Sequence, residues 1–104
     1  MATIRIERYE VMYSANTFDP RIWLWGRDGK GIGQLIFMPN GTALPPDTQR
    51  PNGLIDLYYH QEEYYNCIDL LRNESPVFLL FNGSGTGFEN GIKTTEEDVG
   101  EGES

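Results

Sequence analysis

Two tryptophans two residues apart, Trp23 and Trp25, are bracketed at the same interval by Arg21 and Arg27. Alternate residues of an extended strand point to the same side. Arg21, Trp23, Trp25 and Arg27 would therefore share one face, with Ile22 and Leu24 on the other. The chemistry open to such a face is recognition. Trp, Tyr and Arg are the side chains most enriched where interfaces concentrate their binding energy. Tyr58, from a later segment, is expected to join these four in a surface for a partner or ligand. The competing account is a second small core, because tryptophan is highly buried on average in folded proteins.

Bond-making chemistry finds less support. His60 is the only histidine and Cys67 the only cysteine. They lie seven residues apart, so an early helix start would place them on one helix face. Cys67, however, falls in an apolar stripe beside Ile68 and Leu71, where a thiol is expected to be buried and inert. A zinc site needs about four ligands with close pairs among them, which one histidine and one thiol do not supply. A hard-cation site would have to draw on carboxylates such as Glu62, Glu63 and Asp69. Adjacent helix residues point in different directions, so a solvated charged face accounts for them better. Gly83-x-Gly85-x-Gly87 follows a strand-like run, but no helical pattern follows to supply the amides and dipole that bind a phosphate. The glycines at 26, 29, 31 and 33 have the same defect, and both stretches read as hairpins. No enzyme activity, cofactor or metal is expected.

The elements that would position the aromatic face follow from periodicity. Thr3 to Tyr13 reads as one long strand with a change of phase, since Ile4 and Ile6 have one parity and Tyr9, Val11 and Tyr13 the other. A bulge near Glu7 or Arg8 would bend the strand and bring both sets to one side. Arg21 to Gly26 and Ile32 to Met38 read as strands joined by a hairpin through Asp28-Gly29, a pair that tolerates positive φ. Pro39 to Gly53 contains Pro45, Pro46 and Pro51 and is longer than most connections. Leu54 to Tyr59 alternates and adds a short strand.

Gln61 to Asn73 is the one helix, with Tyr64, Cys67 or Ile68, and Leu71 as its apolar stripe, and Pro76 stops it. Val77 to Asn82 is a strand apolar on both faces. Phe88 to Thr95 returns as a weaker one, with a bulge expected at Asn90-Gly91. The implied fold is α+β: an antiparallel, strongly bent sheet or partly open barrel of five to six short strands with one α-helix, in the order β-β-β-(β)-α-β-β. The element order matches five-stranded barrels that bind oligonucleotides and oligosaccharides, by analogy alone.

At 104 residues the chain fits one domain, expected over residues 1–95. The net charge is −8, and Glu96, Glu97, Asp98, Glu101 and Glu103 carry five of the negative charges in an acidic tail expected to be mobile. Removing those five leaves −3 for the rest. This balance disfavours nucleic acid, whose phosphates supply most of its affinity for proteins. No apolar run approaches the length that crosses a bilayer, and no basic-then-apolar leader opens the chain, so a cytoplasmic location is expected. One helix covers only one face of a sheet apolar on both. The other must be covered by sheet curling, a second subunit or a ligand. The expectation is a non-catalytic interaction module acting through the Trp/Arg face, with a protein partner or itself, as a homodimer. The alternative is a small-ligand or single-stranded nucleic-acid binder.

Overall fold

The structure, a computed structural model, describes residues 2–85 and 87–95. Its first segment does change phase at Glu7, and there the chain passes from one sheet to another. Strand β1 (Ala2–Ile6) pairs antiparallel with β7 (Val77–Phe81), which pairs with β8 (Gly91–Thr94). Strand β2 (Arg8–Met12) pairs antiparallel with β3 (Arg21–Trp25), and β3 with β4 (Gly31–Met38). Glu7 itself donates its amide to the Trp25 carbonyl at 2.8 Å. Two strands, β5 (Thr48–Gln49) and β6 (Ile55–His60), complete a five-stranded sheet in the order β2-β3-β4-β6-β5. The smaller sheet has the order β1-β7-β8.

The class is α+β with one helix, as expected. Among the described residues the strand count is eight instead of five to six, and the strands form two sheets that do not close into a barrel. Nor is the pairing antiparallel throughout: β4 and β6 run parallel, from Gly33 opposite Ile55 to Met38 opposite His60. This pairing explains the long proline-containing connection. A strand that re-enters parallel to its predecessor needs a crossover of a dozen residues or more, and residues 39–54 make that return.

The β3–β4 hairpin forms through a 3₁₀ turn at Arg27–Gly29, with Asp28 at φ 60° and Gly29 at φ 72°. These are the left-handed angles for which an Asp-Gly pair is suited. The single α-helix of the described residues, α1 (Tyr64–Asn73), is preceded by a 3₁₀ turn at Gln61–Glu63. Its predicted stripe faces inward: Cys67 is buried and Tyr64, Ile68 and Leu71 pack against the core. The Tyr64 ring meets that of Phe37 edge-on, with centroids 5.1 Å apart. Asn90-Gly91 does not bulge a strand, because β8 starts only at Gly91.

Ile22, Leu24, Leu35, Phe37, Ile55, Leu57 and Leu79 are almost wholly inaccessible to solvent. Each such side chain contributes about 1.5–3 kcal/mol through burial. They come from the inner faces of both sheets and form one cluster with Cys67 of the helix. The second sheet and the helix thus both cover the same side of the five-stranded sheet. No helix of the described residues is long and apolar enough to cross a membrane. The acidic tail expected at 96–104 lies outside the described residues.

Candidate functional site

Strand register arranges the outer face of the five-stranded sheet in rows. Met12, Arg21, Ile36 and Tyr58 stand opposite one another across β2, β3, β4 and β6. Beside them run Glu10, Trp23, Gln34, Asp56 and Thr48. Arg8 is opposite Trp25 at the end of the face. None of these side chains belongs to the buried core. The face has apolar and aromatic members but keeps charges among them.

The rings and guanidinium groups form an alternating ladder. The Arg21 guanidinium carbon lies 5.7 Å from the Phe18 ring centre and 5.8 Å from that of Trp23. Trp23 meets Trp25 edge to face, with centroids 6.3 Å apart and planes at 87°. Arg8 then lies over Trp25, at 5.8 Å. Both contact types are attractive: a cation sits on the negative face of an aromatic ring, and a ring edge is positive toward its neighbour's face. The arginines also shield the indoles, which are half-buried although no strand or helix of the described residues lies over them.

Between the tryptophans and the proline-containing connection lies a slot of about 190 Å³. Trp23 and Trp25 form one side, Gly31 and Gly33 the floor, and Leu54 and Arg50 the far side. Asp56 organises the polar end. Its Oδ1 accepts from Arg50 Nη2 at 2.9 Å and from Gln34 Nε2 at 3.1 Å. Among the described residues, the Nε atoms of Arg21 and Arg50 are buried without an acceptor. A larger cavity of about 490 Å³ lies between the β1–β2 bend and the end of α1, but it mixes Arg8 and Arg72 with Glu7 and Glu74 and converges on no one chemistry.

Of the five residues expected at the site, Arg21, Trp23 and Trp25 are brought together as the alternation implied. Tyr58 shares their face but stands two strands away, with its amide donated to Asp47 Oδ1 at 2.9 Å. Burial, with the Asp56 carboxylate adding to it, raises its phenol above the usual range. Arg27 leaves the row, because Gly26 donates its amide to the Lys30 carbonyl and the strand ends there. It lies exposed in the hairpin turn and lines a separate cavity with Lys30 and Leu54. Arg8, Phe18, Gln34, Arg50, Leu54 and Asp56 join the face without having been singled out in the sequence. Their common signal is pairing across strands or return from a loop, which alternation along one strand does not carry.

His60 and Cys67 are kept apart. His60 falls on the outer parity of β6 and its Nε2 bonds the Thr42 carbonyl at 2.7 Å. Cys67 lies in the core against Tyr59, where burial, aided by the Glu63 carboxylate, pushes the thiol up to about 12. Such a thiol stays protonated near neutral pH, unlike a nucleophilic cysteine. Glu63 and Asp69 engage Asn66 and Asn73, and no cluster of three or more metal-ligating side chains occurs among the described residues. Both glycine stretches connect antiparallel strands. No protein-family model, curated protein or solved structure matches the chain.

Proposed function

We propose that this chain is a non-catalytic interaction module whose outer sheet face binds a protein surface, in the first instance a second copy of itself. The observation that carries the reading is the Phe18–Arg21–Trp23–Trp25–Arg8 ladder on a sheet face left outside the core. Both covering layers, the helix and the second sheet, are used on the opposite side. Large rigid rings with few rotatable bonds, flanked by arginines, suit an interface because ordering them costs little entropy and desolvating them is favourable. Ile36, Met12 and Met38 extend the apolar area across the sheet, and methionine adapts to irregular partner surfaces.

Solution mass by light scattering over a wide concentration range tests this directly. The expected result is a mass that rises toward twice that of the monomer and falls back in Trp23→Ala. A wild type that remains monomeric at high concentration overturns self-association, as does a dimer unaffected by Trp23→Ala.

A further inference from the structure

We infer that the slot beside Trp25 is a binding site for a single planar ring carrying an anionic substituent, with the ring between Trp25 and Leu54 and the anion toward Arg50. This goes beyond the interaction reading, since the slot can take a free ligand whether or not the surrounding face docks a protein.

Size sets the first limit. A cavity of about 150 Å³ accepts one benzene ring, and sites for larger organic ligands start near about 300 Å³. The slot, at about 190 Å³, therefore fits one ring with a small substituent.

The floor gives the second clue, because its two glycines differ. At Gly33 a Cβ would fall 2.2 Å from the Ile55 carbonyl oxygen, so close strand packing requires glycine there. Gly31 has no such need. Its backbone is not left-handed, and a Cβ would meet only Leu54 Cδ2, at an ordinary 3.8 Å. Packing within the chain does not call for glycine at 31, yet the missing side chain is what leaves the slot open beside Trp25.

Charge gives the third. Five of the eight Arg and Lys residues of this acidic chain (Arg8, Arg21, Arg27, Lys30 and Arg50) lie on this face or in the hairpin at its end. The carboxylates nearby include Glu10, Asp28, Asp47 and Asp56, of which Asp47 accepts the Tyr58 amide and Asp56 is already engaged by Arg50 and Gln34. That contact holds the Arg50 guanidinium in place, with its Nε buried and lacking an acceptor among the described residues. An aromatic wall with a fixed cation at one end matches a ring with an anion at its edge.

The test uses benzoate as probe, followed by protein-observed NMR. Saturable shifts of the Trp25 indole N–H and the Gly31 amide are expected. Benzyl alcohol, which lacks the charge, and inorganic phosphate, which lacks the ring, should each bind at least tenfold more weakly. Gly31→Leu should abolish benzoate binding. Gly31→Ala, the milder change, should weaken it, and Arg50→Gln should remove the preference for benzoate over benzyl alcohol. Two further titrations separate the sources of such a group: a pyrimidine nucleoside monophosphate as a free metabolite, and a peptide ending in phenylalanine with a free carboxylate as a protein terminus. Absence of saturable benzoate shifts in the wild type overturns the site, and so does a folded Gly31→Leu that binds as well as wild type. A Gly31→Leu protein that still dimerises but no longer binds benzoate separates this site from the association reading.

Discussion

Asn90 Nδ2 donates to Asp47 Oδ2 at 3.0 Å, joining two loops that are 43 residues apart in the chain. The Asn90 amide also accepts from the Asn82 N–H at 2.7 Å and donates to the Gly83 carbonyl at 2.9 Å. Asp47 in turn accepts the Tyr58 amide through its other oxygen. The pair therefore pins the β7–β8 connection to the segment that leads, through β5, to Arg50 and the slot.

Replacing Asn90 by Ala leaves half-buried partners unpaired and is expected to cost about 1–3 kcal/mol of stability. Asn90→Asp should be worse near neutral pH, since it sets a second carboxylate against Asp47, and should recover as the pH falls far enough to protonate one of the two. Urea unfolding of the three proteins across pH checks the order.

The two slot glycines should respond in opposite ways to the same methyl group. Gly33→Ala drives a Cβ into the Ile55 carbonyl and is expected to destabilise by about 1–3 kcal/mol or more. Gly31→Ala should leave stability unchanged or raise it by up to about 1 kcal/mol, because alanine has less entropy to lose on folding. Thermal unfolding distinguishes these outcomes.

In the ladder, the Arg21–Trp23 contact should appear as a coupling of about 0.5–1 kcal/mol in a double-mutant cycle of Arg21→Ala and Trp23→Leu. Additive effects would mean that the stacking geometry contributes nothing. Arg21→Ala should also shift the tryptophan emission to the red, by exposing the ring that the guanidinium shields.

Alkaline stability tests the pair formed by buried Cys67 and half-buried Tyr59. Burial raises both pKa values in the native state, the thiol from 9.0 to about 12. Between those values the unfolded thiol has lost its proton and the native one has kept it, so unfolding releases a proton. The contribution of this pair should be pH-independent below about 9 and then fall by up to about 1.4 kcal/mol per pH unit from Cys67, with Tyr59 adding to the slope above 10. Cys67→Ala should lower the starting stability but flatten the first part of that decline. Denaturant titrations from pH 7 to 11 provide the measurement.

The sequence made the local features legible and the long-range ones not. Alternation in Arg21–Trp25 placed Trp23 opposite Ile22 in orientation, and the parity switch after Ile6 marked a real break at Glu7. The helical stripe through Tyr64, Cys67 and Leu71 likewise faces the core. These are properties of one strand or one helix, set by backbone geometry. Arg27 failed the same rule because a left-handed Asp-Gly turn ends the alternation one residue after Trp25. The parallel entry of β6 and the arrival of Arg50 and Asp56 beside the tryptophans depend on how a loop travels. No periodicity records that path. Arg8 reaches Trp25 only through the pairing of β2 with β3, a partnership that neither segment declares alone.

The run from Ala2 to Met12 has a mechanical consequence. Its first half is hydrogen-bonded into one sheet and its second half into the other, with Glu7 secured to Trp25 between them. Peeling this single length of chain away strips an edge from both sheets at once and opens the cluster they enclose. Detachment of this one segment therefore removes a strand from each sheet together. Unfolding should be all-or-none, with amide exchange in β7 and β3 governed by the same opening event.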